Sequence, residues 1–198
     1  MKRILSLEQQ IRGYVNGAKL YDRHFKAHLD EWKALCVAMD TLGDSCLALG
    51  YYEASGIGKE DGEKYLKLYG LLQAIFLQQD SIRQLHQLFV GSDLQPGPDS
   101  AWKKIIELRN LTVCHPIEKK EKAGIKRCFI SRVTIHAGDF QLVIWNSDKG
   151  QDEFEDVDLQ SLYRQYKLEA VKHLESITQG QIERWGSLQC NYQPHCGV

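Results

Sequence analysis

Four side chains near the middle of the chain combine groups that could act together on a phosphodiester: Arg109, Asn110, Thr112 and His115. Metal-independent RNA cleavage needs a group that transfers protons near neutral pH, and histidine suits this because its unperturbed pKa is about 6.5. It also needs donors for the phosphate oxygens, which a planar guanidinium supplies. We therefore expect His115 to transfer protons, Arg109 to stabilise the phosphate, and Asn110 to position either the phosphate or the histidine.

These residues lie on a predicted helix, residues 100–116, whose apolar positions recur at helical spacing. Its apolar face contains Trp102, Ile105, Ile106 and Val113. Arg109 falls on this same face, where an unpaired guanidinium is costly to bury because it cannot give up its charge. At about 100° per residue, Thr112 and His115 lie progressively further round the helix from Arg109. Pro116 disfavours helical backbone at His115, so we expect the imidazole to reach outward from a frayed last turn.

A long helix is predicted just before this one, at residues 63–89. Its apolar residues cover nearly all sides, which is typical of a central helix packed against several partners. Polar residues that include Gln79 and Asp80 interrupt the apolar pattern. If the two helices pack together, Asp80 is the expected counter-ion of Arg109, with Gln79 and Thr112 in supporting positions. Such a pair could serve function, or it could be an ion pair that only locks the two helices.

The whole chain, residues 1–198, is predicted to form one mainly α domain, an antiparallel helical bundle with a short β insertion. A seven-residue apolar repeat over about four heptads near the N-terminus predicts one long helix or two nearly collinear helices. Two β-rich runs separated by a turn predict a β-hairpin at residues 127–146. The acidic run at residues 152–158 is expected to open a final amphipathic helix over about 157–185.

Five basic residues follow Pro116 closely: Lys119, Lys120, Lys122, Lys126 and Arg127. A run of this kind is usually a solvated loop, and Glu118 and Glu121 dilute its charge. Its position directly after His115 makes it a candidate rim that attracts RNA phosphates. The net charge of the chain is −1, so binding of nucleic acid would have to come from such a local patch.

Other features of the sequence narrow the class of protein. No Gly-rich phosphate loop, G-x-S-x-G or H-E-x-x-H motif is present, which weighs against nucleotide-dependent transferases, serine hydrolases and zinc peptidases. The six cysteines show no C-x-x-C spacing, no secretory signal is visible and no apolar run is long enough to span a membrane, so a reduced, cytoplasmic protein is expected. Cys190, His195 and Cys196 could ligate a metal, but such residues in a short terminus are more often incidental. No metal site or cofactor is predicted.

The string E-L-R-N-L-T-V-C-H-P resembles the R-x(4–6)-H motif of the HEPN superfamily (higher eukaryotes and prokaryotes nucleotide-binding), in which a polar residue, often Asn, follows the arginine. The matching residues are Arg109, Asn110 and His115. The preceding string Y-L-K-L-Y-G-L-L-Q-A-I-F-L-Q-Q-D is similar to the helix before the motif in some bacterial HEPN-like proteins of unassigned function. The resemblance covers residues 63–116 and implies a HEPN-like helical bundle.

Membership of this superfamily would imply one of two functions. Many HEPN proteins are metal-independent endoribonucleases of toxin–antitoxin, abortive-infection or CRISPR-linked systems that work as dimers, so the resemblance implies a homodimer, RNA as substrate and a neutralising antitoxin as a further partner. Others keep the bundle as a non-catalytic nucleotide- or protein-binding module, in which Arg109 would be a structural ion pair. A third alternative is a sensor that binds a small ligand between the central helices.

Overall fold

The computed structural model describes residues 1–121, 124–136 and 138–186. The described residues are mainly helical, as expected, with one small antiparallel sheet. The α-helices are α1 (Lys2–Gly17), α2 (Leu20–Arg23), α3 (Leu29–Ser55), α4 (Asp61–Val90), α5 (Ala101–Arg109) and α6 (Leu159–Trp185). The strands are β1 (Lys119–Glu121), β2 (Gly124–Ile130), β3 (Asp139–Asn146) and β4 (Gln151–Asp158). Short 3₁₀ turns lie at Phe25–Ala27 and Arg132–Thr134, and a π-helical turn lies at Asn110–Cys114.

Helices α1 and α3 pack side by side in opposite directions. The amine of Met1, at the start of α1, lies 2.8 Å from Glu53 near the end of α3, whereas Arg12 contacts Asp40 further back along α3 at 3.1 Å. The chain reverses between the two helices, where Lys19 takes a left-handed backbone conformation with φ of 50°. The expectation of one long helix or two nearly collinear helices is therefore wrong. The seven-residue repeat does not stop where α1 ends, at Gly17, so it gives no sign that the chain reverses there.

Helix α4 is the central helix, as its apolar residues on nearly all sides predict. It packs against α3, α5 and α6. Its fully buried Gln78 accepts a hydrogen bond from the Tyr166 hydroxyl of α6 at 2.9 Å and donates to the Ser45 hydroxyl of α3 at 3.3 Å. These bonds satisfy an amide that would otherwise be costly to bury, and they join three helices at their centre.

The bundle is not antiparallel throughout. Helices α3 and α4 form an antiparallel pair joined by a short loop, but α6 runs parallel to α4, because Tyr166 lies beside Gln78 and Gly180 lies beside Phe89. A Cβ at Gly180 would lie 3.1 Å from the Phe89 carbonyl oxygen, so the close approach of the two helix ends depends on this glycine. None of the helices in the described ranges combines the length and apolarity needed to cross a membrane.

The β insertion is a four-stranded antiparallel meander in the order β1-β2-β3-β4, larger than the predicted hairpin. The acidic run expected to open the last helix instead forms β4, which pairs with β3 from Asp139–Asp158 to Asn146–Gln151. Pairing with β3 explains the result, because it buries Val157 opposite Phe140 on the face that packs against the helices. Helix α6 starts just after this strand, where the Asp158 carboxylate caps it by accepting from the Ser161 N–H at 2.7 Å.

Candidate functional site

The start of α5 is held by hydrogen bonds from three other parts of the chain. The Ser100 hydroxyl caps it by accepting from the Lys103 N–H at 3.3 Å. The Glu169 carboxylate of α6 accepts from the N–H groups of Ala101 and Trp102 at 3.0 and 2.9 Å. Buried Gln79 of α4 donates to the Trp102 carbonyl at 3.0 Å. Backbone N–H groups that lack partners at a helix start are thereby satisfied, and the position of α5 against α4 and α6 is fixed.

The end of α5 widens into the π-helical turn Asn110–Cys114, which ends with the His115 N–H donating to the Asn110 carbonyl at 2.9 Å. The Thr112 hydroxyl is buried and donates back to the Leu108 carbonyl at 2.8 Å. Pro116 cannot donate to a continued helix, so the chain leaves the helical path at His115. Because this turn is wider than an α-helical turn, the positions of Thr112 and His115 relative to Arg109 that were expected from about 100° per residue do not hold through it.

Arg109, the last residue of α5, is half-buried against α4. Its Nε and Nη2 atoms donate to the Gln73 side-chain oxygen at 3.2 and 2.9 Å, and its Nη1 atom donates to the Asn110 side-chain oxygen at 3.1 Å. Its Cζ atom lies 4.0 Å from the centre of the Phe76 ring, which makes a cation–π contact. Every group that holds the guanidinium is electrically neutral. Within the described residues it has no carboxylate partner.

Two donors of Arg109 remain for a ligand. A guanidinium carries five N–H bonds. Gln73 receives two of them and Asn110 receives one, which leaves one N–H bond on each terminal nitrogen without an acceptor in the described part of the chain. Such N–H bonds of a guanidinium can donate to the oxygens of a phosphate or a carboxylate. The site therefore presents a positioned cation suited to an anion.

The expected pairing of Asp80 with Arg109 is wrong. The Asp80 carboxylate instead pairs with Arg83, one turn further along α4. Because Gln79 touches Trp102 and Gln73 touches Arg109, α4 and α5 run antiparallel, and the end of α5 is level with Gln73. Asp80 lies on the same side of α4 but seven residues beyond Gln73, or about 10 Å along the axis.

The two expected supporting residues have structural contacts. Gln79 lies at the opposite end of α5 from Arg109 and binds the backbone of Trp102. Thr112 lies within the motif, but its hydroxyl is used within the π-helical turn. The residues that do hold Arg109 are Gln73 and Phe76. The sequence contained one signal for them: Gln73 is a polar residue within the apolar part of the central helix, and Phe76 follows it one turn later.

His115 is exposed, and among the described residues nothing hydrogen-bonds to its ring. Its position is set by the backbone bond to Asn110 and by the Pro116 carbonyl, which accepts from the Cys128 N–H of β2 at 2.8 Å. The imidazole is therefore placed at the end of the same helix as Arg109. Its ring is not oriented by a protein partner in the described part of the chain.

Comparisons with protein-family models, with curated protein sequences and with solved structures find no match to this chain.

The basic residues after Pro116 are on strands and do not form the single loop that their composition favours. Lys119 and Lys120 lie on β1, and Lys126 and Arg127 lie on β2. Glu118 lies 3.6 Å from Lys120 and 3.8 Å from Arg127, which lowers their combined charge. Lys126 lines a groove of about 440 Å³ on the α5 side of the sheet, together with acidic residues of β4 that include Glu153 and Glu155. Lys122 lies outside the described residues, as do Cys190, His195 and Cys196.

A second, larger groove lies beside the motif and was not expected from the sequence. It has a volume of about 950 Å³ and runs between the start of α4 and the end of β2. Its wall includes Tyr65, Tyr69, Thr112, Pro116, Phe129 and Arg132. Cys128 also lines it, but burial and the nearby Glu155 raise the pKa of this thiol to about 11, so it stays protonated and unreactive at neutral pH.

Proposed function

We propose that this protein is a metal-independent endoribonuclease of the HEPN type, a toxin-like enzyme. In this proposal Arg109 binds the scissile phosphate, His115 transfers a proton to or from the reacting oxygens, and Asn110 positions the guanidinium. Two observations support the proposal: the resemblance in the motif, and the finding that, among the described residues, the groups that hold the Arg109 cation are neutral.

The contacts of Arg109 support this role more than a purely structural one. A guanidinium that only locked two helices would be expected to have a carboxylate partner, because burying a charge without one is costly. Asp80 lies on the same helix as Gln73, and Glu107 lies two residues before Arg109. The side chains that Arg109 contacts are nevertheless Gln73, Asn110 and Phe76. An anion that binds the two remaining N–H bonds would supply the missing charge. The phosphate of RNA is such an anion.

The proposal includes a homodimer. One guanidinium and one imidazole are few groups for efficient cleavage, and a two-fold axis near the end of α5 would bring a second Arg109 and His115 to the same phosphate. A partner copy could also orient His115, whose ring no described residue holds. In a toxin-like system, a neutralising antitoxin would cover this end of the helix.

A second candidate function is a non-catalytic RNA- or protein-binding module. The observation that favours it is the same lack of an orienting partner for His115, because a general base is usually held by a second group. In this case Arg109 would bind an anionic group of the partner and no bond would be cut.

Cleavage of single-stranded RNA in the presence of EDTA separates these functions. The nuclease proposal expects the wild type to cut, and it expects His115→Ala and Arg109→Ala to lose about 10²-fold or more in rate. Circular dichroism and size-exclusion chromatography would establish that both variants keep the fold and the oligomeric state. Wild-type rates in either variant would refute the assigned roles, and binding without any cleavage would favour the binding module.

A further inference from the structure

The groove beside the motif contains aromatic side chains that project into open space. Phe129 is 62% exposed and Tyr69 is 39% exposed, although large aromatic side chains are usually buried. Tyr65 forms part of the same wall, and its hydroxyl donates to the Ile130 carbonyl at 3.3 Å, which fixes its ring between α4 and the sheet. Tyr65 and Tyr69 contact each other with ring centres 5.8 Å apart. The groove is thus lined by the paired rings of Tyr65 and Tyr69 on its helix side and by the exposed ring of Phe129 on its sheet side.

The groove lies next to the candidate catalytic site. Tyr69 lies four residues, or about 6 Å, before Gln73 on the same helix, and Gln73 holds Arg109. On the other side, the groove is lined by Thr112 of the π-helical turn and by Pro116, which directly follows His115. A strand of RNA whose phosphate meets Arg109 would therefore bring the neighbouring nucleotide to this groove.

The charges around the groove fit a nucleotide. Arg132 is an exposed cation on its wall. The one acidic side chain among the lining residues described, Asp61, is paired with Lys64 at 3.3 Å. On β4, two strands away from β2, the charge reverses, because this strand carries several carboxylates that would repel a phosphate backbone. Phe129 and Phe154 lie on the same face of the sheet, on either side of Val143, so the acidic strand disfavours binding at Phe154 more than at Phe129.

We infer that this groove binds an unpaired nucleobase of the RNA by stacking it against Tyr69 and Phe129, so that the substrate is single-stranded at the cleavage site. The inference depends on the proposed function for the cut itself, but the binding of the base can be measured separately. Aromatic stacking suits any base because each base has a π-face, whereas a paired base inside a duplex has no free face to offer. The groove thus selects single strands with little preference for sequence.

Fluorescence anisotropy with a fluorescein-labelled single-stranded oligoadenylate tests the inference. The titrations use His115→Ala protein so that the probe stays intact, and they compare Phe129→Ala, Tyr69→Ala and a matched control, Phe154→Ala. Phe154 is 66% exposed and lies on β4, where it pairs with Val143, the residue of β3 that also pairs with Phe129. Its neighbours along β4 are acidic. All three substitutions remove an exposed or partly exposed ring, so each is expected to fold.

Phe129→Ala and Tyr69→Ala are each expected to weaken binding about tenfold, and Phe154→Ala is expected to leave the Kd within about twofold. A duplex of the same length should bind more weakly than the single strand. Equal affinity in all three variants, or preference for the duplex, would overturn the inference. Cleavage assays distinguish the failure of this inference from the failure of the proposed function. If binding of the oligonucleotide needs Phe129 but the wild type does not cleave RNA, the base-binding groove is supported and the nuclease is refuted. If the wild type cleaves RNA and the rate does not depend on Phe129 or Tyr69, the nuclease is supported and the base-binding groove is refuted.

Discussion

Arg109 donates two hydrogen bonds to a single oxygen of Gln73, at 3.2 Å from Nε and 2.9 Å from Nη2. A carboxylate at this position would form a two-pronged ion pair, but the amide holds the guanidinium in the same orientation without neutralising it. The arrangement therefore fixes the direction of the cation and keeps its charge for another partner. This contact between α4 and α5 links the fold to the proposed function.

Replacing Arg109 by methionine should cost little stability. The substitution keeps an apolar side chain against Phe76 and removes bonds to neutral groups, so no opposite charge is left buried. We expect the free energy of unfolding to fall by about 1–2 kcal/mol, in contrast to the 3–5 kcal/mol lost when a buried ion pair is broken. Urea denaturation measures the difference, and RNA cleavage by the same sample should fall by about 10²-fold.

The matched control for this substitution is Arg83→Met. Arg83 also lies over an aromatic ring, 5.7 Å from the centre of Trp102, but it is paired with Asp80 and lies away from the motif. Its replacement should leave cleavage unchanged. If Arg109→Met lowers the free energy of unfolding by about 3 kcal/mol or more, and cleavage falls only by the fraction of protein that is unfolded, Arg109 has a structural role.

Glu169 is predicted to stabilise the helix that carries the motif. Its carboxylate accepts from two N–H groups at the start of α5, so Glu169→Ala would leave both without this partner. The expected loss is about 1–2 kcal/mol of unfolding free energy in urea denaturation, the usual effect of removing a helix cap. Glu175→Ala is the control, because the contact that the structure describes for this residue of the same helix is an exposed ion pair with Arg3, and such pairs contribute about 0–1 kcal/mol. Equal losses in the two variants would contradict the capping role.

His173 should make stability depend on pH. Its ring packs edge-on against Trp102 at 5.1 Å, and burial lowers its pKa, with further lowering by His86 and Lys172 and partial opposition from Glu169. Because the unfolded state binds this proton more readily, the contribution of the neutral ring is complete above about pH 6.5 and is lost as pH falls through the lowered pKa of the folded state.

Urea denaturation at about pH 7.5 and about pH 5.5 measures this dependence. The wild type should lose stability over the interval, and His173→Gln should lose less, because it has no ring to protonate. The same loss in both proteins would show that other groups cause the pH dependence.

Hydrophobic spacing was sufficient to predict α4 and α6, but not the chain reversal between α1 and α3 or the contacts between the helices. The predicted helix at 63–89 is α4, Asp61–Val90. Its apolar residues lie on almost every side, and they can all be buried only if the helix is at the centre of the bundle. The strand β4 was missed because its carboxylates resemble a helix start, and only its pairing with β3 shows that Val157 faces the core. Local sequence carries no information on which strand will lie beside it.

The candidate site shows the same limit. Spacing along the chain placed Arg109, Asn110 and His115 at one helix end, and it placed Asp80 on the side of α4 that faces Arg109. It could not tell how far α5 is shifted along α4, and a shift of two turns decides whether Arg109 meets Asp80 or Gln73. The π-helical turn and the aromatic groove also depend on contacts between distant segments, such as the bond from the Cys128 N–H to the Pro116 carbonyl.

The most direct test of the account is the rate of RNA cleavage in EDTA by Gln73→Glu, measured beside the wild type. The new carboxylate can keep both bonds to Arg109, so the fold should be retained, but it neutralises the cation. Gln84→Glu, eleven residues further along the same helix, is the control for the added charge. We predict that Gln73→Glu cuts about 10- to 100-fold more slowly than the wild type, and that Gln84→Glu cuts at the wild-type rate. Equal rates in Gln73→Glu and the wild type, or no cleavage by the wild type, would contradict the claim that Arg109 keeps its charge for an RNA phosphate.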